Sequence, residues 1–256
     1  MDWIVTSLTS IVVFVAALVH GIAGFGFAQV SMGLLPLFRS ASAASVIFNI
    51  ATVFGNSRVF WSVRKDFRVK DWLVPVGGLA LGMPLGIYIF QWLSEAQLRL
   101  AIGAILILGV AVMVPLQEKG RAEEWIRSKG IRPGWKTGFT VGLLSGILGG
   151  AVAIPGPPMI LYGAFMMAND LWESARMKAV CTAFFGTLMA YRLAALTVTG
   201  AVTWPLTMEA LVALPALFLG AWIGIRIYRN IPERIFRWLV LVGLTANALV
   251  LIATSL

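Results

Sequence analysis

Two arginines within apolar segments, a sole histidine and two glycine-rich interruptions are the groups in this sequence that could do chemistry. Arg58 and Arg192 carry a fixed positive charge where lipid or protein is expected, which suits attraction of an anion. Histidine as a residue type titrates near neutrality, so His20 could line a pore, move a proton, or donate one hydrogen bond to a carbonyl. The interruption Leu144 to Pro158 reads LSGILGGAVAIPGPP and lies inside an otherwise apolar run from Trp135 to Ala168. Glycine weakens a helix there, and proline removes a donor and clashes with the preceding turn. In a membrane, the freed backbone groups must be met by protein or by an aqueous cavity, which makes the break a binding-site candidate.

Broken helices present unpaired N–H groups at their starts, and the helix dipole there favours an anion. Breaks are expected at His20 to Gly26, at Ser145 to Gly150 and at Pro155 to Pro158. The backbone of Gly24, Gly26, Gly149, Gly150, Pro155 and Gly156 would then border the ligand. His20, Gln29, Ser31, Asn49 and Asn56 could add side-chain donors, as could Ser145, Asn169 and Tyr191. Close packing of helices through small residues is the competing reading of the glycines. Snorkelling to an interface is the competing reading of the arginines.

Other chemistries find little support. One histidine, one cysteine and no acidic residue inside the apolar segments leave no ligand set for zinc or another divalent metal. Cys181 has no nearby histidine base and reads as a small buried apolar side chain. Gly21, Gly24 and Gly26 do not follow the dinucleotide fingerprint, and no Walker A sequence is present. Neither an enzyme nor a cofactor is expected.

The elements that must position these groups are membrane helices. Hydrophobic residues make up 59% of the 256 residues and charged residues 12%, about half the charged share of a soluble domain. Long apolar segments recur along the chain, so the class is a polytopic α-helical membrane protein in contact with lipid. The formal charge of +9 does not indicate nucleic acid, because Lys and Arg cluster between the apolar segments, where topology signals belong. The start, MDWIVTSLTS, lacks a basic leader region and reads as the first membrane helix.

The apolar runs are Ile4 to Phe38, Ala41 to Trp61, Trp72 to Trp92 and Leu98 to Leu116, then Trp135 to Ala168, Ala175 to Leu196, Leu206 to Tyr228 and Ile235 to Ala253. The second four restate the first four. Gly82 and Gly86 match Gly220 and Gly224, while Glu95 and Arg99 match Glu233 and Arg237. HGIAGFG matches SGILGGA, pairing Gly21 with Gly146, Gly24 with Gly149, and His20 with Ser145. This duplication predicts a first repeat at 1–118, a connecting loop at 119–133 and a second repeat at 134–256. Several tryptophans near segment ends, among them Trp3, Trp61, Trp92, Trp135, Trp172 and Trp204, read as an interfacial belt.

Charge predicts the topology. If each broken run enters and returns, as two short spans or as a span plus a re-entrant half helix, sixteen Lys and Arg fall on the cytoplasmic side. Only Arg39 and Arg99 then lie outside, both termini are periplasmic, and the two repeats are inverted. Each repeat has a broken or re-entrant first run followed by three transmembrane helices, the arrangement of secondary transporters with a site near the midplane.

With these residues in hand, the chain resembles the sulfite exporter TauE/SafE family, also called the toluene-sulfonate uptake permease family. The resemblance covers nearly the whole chain. It rests on HGIAGFGFAQVSMGLLPLF, its echo SGILGGAVAIPGPPMILYG, and the LGMPLGIYI and LGAWIGIRI helices. It implies transport of a small sulfur-containing anion, such as sulfite, a sulfonate or sulfoacetate, across a bacterial inner membrane. Alternating access, an anion-selective channel and a noncatalytic assembly protein remain open, as do proton or sodium coupling, direction and oligomeric state. The second half departs from the first in Pro155, Pro157 and Pro158, which have no equivalents at Val30 to Gly33.

Overall fold

The computed structural model describes residues 3–23, 26–116, 128, 133–227, 245 and 248–253, and every regular element among them is a helix. The helices are α1 (Trp3–Ala23), α2 (Phe27–Leu34), α3 (Ala41–Val63), α4 (Val69–Trp92) and α5 (Glu95–Leu116) in the first half. In the second half they are α6 (Trp135–Val152), α7 (Gly156–Ala168), α8 (Ser174–Val198), α9 (Trp204–Val212) and α10 (Leu214–Ile227). Most of the connecting loop and of the final expected helix, Ile235 to Ala253, lies outside the described residues, although 248–253 are helical.

Local chemistry sets several ends. Ser94 and Gln97 form a reciprocal capping box at the start of α5, with Gln97 N–H donating to Ser94 Oγ and Ser94 N–H to the Gln97 amide oxygen. At the other end of α8, Gly200 has φ 77°, and the N–H groups of Gly200 and Ala201 return to the carbonyls of Thr197 and Leu196. That left-handed closure is available to glycine without a Cβ penalty. The expected run Leu206 to Tyr228 divides at Ala213 into α9 and α10.

Both broken runs are interrupted, and the structure relocates the interruptions. Ser145 to Gly150 lie inside continuous α6, which ends at Val152, so the glycines do not break the helix. His20 likewise sits in the last turn of α1. The actual break in the second half is Ala153 to Pro155, with Pro157 and Pro158 in the first turn of α7. At 8 and 13 residues, α2 and α7 extend about 12 and 20 Å, short of a hydrocarbon core of about 30 Å. Among the described residues, the helices long and apolar enough to cross a membrane are Trp3–Gly21, Val69–Trp92, Ser174–Val198 and the combined run Trp204–Arg226.

Two compact units form, and neither coincides with a sequence half. One comprises residues 1–55, 93–107 and 193–256, and the other residues 56–92 and 108–192. In the first unit α1 packs along α10, and Gly224 lies against the carbonyl of Leu18 and the Cα of Gly21. A Cβ on Gly21 would meet the Ala221 carbonyl at 2.7 Å, so the backbones themselves touch. In the second unit α4 packs along α6, and Gly86 lies against the carbonyl of Ile147 and the Cα of Gly150. Each unit is therefore completed by a helix from the opposite half of the chain.

These contacts also correct the register of the duplication. Ala23 and Val152 end α1 and α6, and Phe27 and Gly156 start α2 and α7, each pair 129 residues apart. Gly21 consequently corresponds to Gly150, not Gly146, and His20 to Gly149. The discrepancy is four residues, about one turn, and positions one turn apart on a helix present the same face. A glycine-rich face thus allowed two alignments that the packing separates.

Large apolar side chains such as Leu73, Leu81, Leu85 and Tyr88 on α4 remain exposed, as expected where lipid is the solvent. Trp3, Trp61, Trp92, Trp135 and Trp204 are exposed near helix ends, in keeping with an interfacial belt. Trp172 departs from that expectation. It is buried, edge-on to Tyr162 at 5.5 Å, and belongs to the core of the second unit.

Candidate functional site

The expected site residues divide between the units. Gly26, Gln29, Asn49 and His20 belong to the first, whereas Asn56, Ser145, Gly149, Gly150, Pro155, Gly156, Tyr191 and Arg192 belong to the second. Gly24 and the side chain of Arg58 lie outside the described residues.

In the first unit the chain leaves α1 after Ala23 and re-enters a helix through Gly26, whose φ of 98° is readily adopted only without a side chain. Gly26 is the N-cap of α2 and supplies no side-chain acceptor for the helix start. The N–H groups of Gly26, Phe27, Ala28 and Gln29 find no acceptor among the described residues, and the first regular bond is Val30 N–H to the Gly26 carbonyl. Four donors of one helix end are thus available together. Gln29 is 4% exposed. Ser31, on the next turn, is fully buried with its hydroxyl unpaired. His20 meets Phe27 edge-on at 6.2 Å, and Phe27 in turn packs on Phe48, beside fully buried Asn49.

The second unit offers a different break. Ala153 closes α6 in the left-handed region, φ 61°, with its N–H on the Gly149 carbonyl. A residue with a Cβ is strained there, a condition found often at functional positions. Pro155 caps α7 and Pro157 and Pro158 occupy its first turn, so Gly156 is the sole N–H donor among the cap and first three helical positions. In the corrected register these prolines stand opposite Gly26, Ala28 and Gln29. The starts of α2 and α7 differ fourfold in backbone donors.

Arg192 does not snorkel. It is fully buried, its Nε donates to the Gly150 carbonyl at 3.2 Å, and its guanidinium lies 5.1 Å from the centre of the Phe90 ring. A cation at the C-terminal turn of α6 complements the dipole and one of its open carbonyls. Leu188, one turn earlier on α8, packs into the space Gly149 leaves, with Pro155 beside it. Arg192, Gly149, Gly150 and Pro155 are brought together around the break. Tyr191 and Asn56 are half-buried in the same unit, and Ser145 is fully buried with its hydroxyl unpaired.

One group escapes a reading that finds no acidic residue in the apolar segments. Glu209 lies on α9, inside the expected run from Leu206, and is 5% exposed. Its carboxylate pairs with the Arg39 guanidinium and accepts from the Thr9 hydroxyl at 2.6 Å. A lone carboxylate near the start of an apolar run resembles an interfacial residue, and nothing local in the sequence links it to Thr9 or Arg39. The span-length apolar helices fit a multi-pass membrane protein.

A family model described as Sulfite exporter TauE/SafE matches residues 9–251. The chain belongs to that family, a transporter family, which agrees with the resemblance drawn from the glycine-rich motifs. No curated protein and no solved structure matches the chain.

Proposed function

We propose that this chain is a secondary transporter that moves a small sulfur-containing anion, of the sulfite, sulfonate or sulfoacetate class, across the bacterial inner membrane by alternating access. Family membership supports the substrate class, and the two interrupted helices support a site of the discontinuous-helix kind. The observation that carries the reading is the start of α2. The start of α2 leaves four N–H groups without an acceptor among the described residues, and buried Gln29 stands on the same turn, an arrangement suited to the oxygens of a sulfonate or sulfite. The proline-blocked start of α7 is a poorer anion seat, and Arg192 serves to hold the second break in shape.

The inverted arrangement of the repeats, with both termini periplasmic and the loop 119–133 cytoplasmic, belongs to the same proposal. It is supported by the loop charge and by the equivalent packing of Gly21 on Gly224 and Gly150 on Gly86. Saturable binding of a sulfonate or sulfite to purified protein, weakened by Gln29→Ala, is the first test. In proteoliposomes, saturation with trans-acceleration supports a carrier. Linear flux without exchange would assign a channel, and a folded protein with no anion flux would leave an assembly role.

A further inference from the structure

Around Glu209 the first unit holds a polar cluster remote in sequence from the helix breaks. Thr9 of α1 is fully buried, and its hydroxyl stands 2.6 Å from Glu209 Oε1 and 2.9 Å from the carbonyl of Val5. The Arg39 Nε donates to Thr9 Oγ1 at 3.2 Å, while an Arg39 terminal nitrogen pairs with Glu209 Oε2. A hydroxyl has one proton and two lone pairs, so Thr9 can donate to Glu209 or to Val5, but not to both at once.

We propose that Glu209 is a proton-binding site of this protein, and that the Thr9 hydroxyl lets it change protonation state without leaving a buried polar atom unpaired. With Glu209 ionised, Thr9 O–H donates to Oε1 and Arg39 neutralises the charge through Oε2. A proton added to Oε1 turns that oxygen into a donor toward Thr9 Oγ1, and the Thr9 proton rotates to the Val5 carbonyl. Thr9 then accepts from Glu209 and Arg39 and donates to Val5, so its proton stays hydrogen-bonded in either state.

The surroundings support a titrating role over a fixed brace. An ion pair withdrawn from water adds little net stability, and a carboxylate within an apolar span is a functional candidate on that ground. The other charged groups nearby are engaged elsewhere. Glu95 accepts the N–H groups of Ala41 and Ser42 at the start of α3, and Arg99 donates to the backbone carbonyl of Arg39. Glu209 is the sole ionisable side chain on α9, and the one on α10, Arg226, stands in its last turn. On α1 the sole ionisable side chain is His20, in its last turn. Protonation raises the cluster by one positive charge, with Arg39 left unneutralised. For a carrier this favours anion binding in the protonated form, hence movement of a proton and the anion in the same direction. That consequence rests on the transporter reading, whereas the site itself does not.

The test separates the two. Infrared difference spectra of purified protein, recorded on acidification without substrate, should contain a protonated-carboxyl C=O band that is lost in Glu209→Gln. The band should persist in Thr9→Ser and shift in Thr9→Val, which deletes the relay at nearly constant volume. Spectra identical in wild type and E209Q overturn the proton site. If E209Q does not fold, the Thr9 pair decides, and an unshifted band in T9V overturns the proposal. In proteoliposomes, isethionate is a suitable probe because a sulfonate stays ionised across the working pH range. Wild type should accumulate it down a proton gradient, while E209Q should keep counterflow and lose the gradient response. Gradient-driven uptake by E209Q overturns the coupling role. Absent counterflow in wild type overturns the sulfonate-carrier reading and leaves the infrared result standing.

Discussion

Arg192 Nε and the carbonyl of Gly150 meet at 3.2 Å, joining α8 to the last turn of α6 immediately before the chain breaks. The contact places a fully buried cation at a helix C-terminus, where it complements the helix dipole and an open carbonyl.

Removing that cation should therefore be felt first in stability. Arg192→Ala is expected to destabilise the protein by about 2 kcal/mol or more, the scale of a hydrogen bond to a charged group, and to lower anion uptake as a result. Arg192→Lys should recover part of both. Thermal unfolding in detergent measured beside uptake checks this. Unchanged melting with altered anion affinity would instead make Arg192 a direct ligand.

Gln29→Ala should leave folding intact and weaken the anion by about 1 kcal/mol, roughly a fivefold rise in the half-saturation concentration. Gln29 is buried at the start of α2, beside the N–H groups proposed to hold the anion. Equal anion affinity in wild type and Q29A would move the seat away from the start of α2.

Gly150→Val and Gly21→Val should each destabilise by about 1–3 kcal/mol or prevent assembly, because both sites bring two backbones into contact. Gly109→Ala is the control. An added Cβ there meets its nearest neighbour, Pro157, at an ordinary 3.5 Å, and the helix gains up to about 1 kcal/mol of propensity.

Cysteines introduced singly at positions 121–132 should react with a membrane-impermeant reagent only after the cytoplasmic side is opened. Labelling from outside in intact cells would exclude the proposed inversion.

How much of this was legible in the sequence differs by level. Helical class, most segment bounds and the duplication follow from apolar run lengths and from the matching glycines. The location of the breaks does not, because a glycine in a helix stays helical when another backbone packs against it, as Gly86 does on Gly150. Proline gave the better signal, although Pro157 and Pro158 stand just after the break, where a missing N–H costs least. The Glu209 cluster was illegible for another reason. Thr9, Arg39 and Glu209 lie on three separate segments, and no local pattern states that they meet.

The exchange of helices between halves has a consequence for synthesis. Gly21 waits for Gly224, about two hundred residues later, or roughly 10–40 s at ordinary elongation rates. Throughout that interval α1 has no partner along its small-residue face, whereas α4 is met by α6 after some sixty residues. The second unit can mature first during insertion, and the first must be held open until the end of the chain arrives. A product truncated before α10 would keep that face unpaired, giving membrane quality control a feature by which to recognise it.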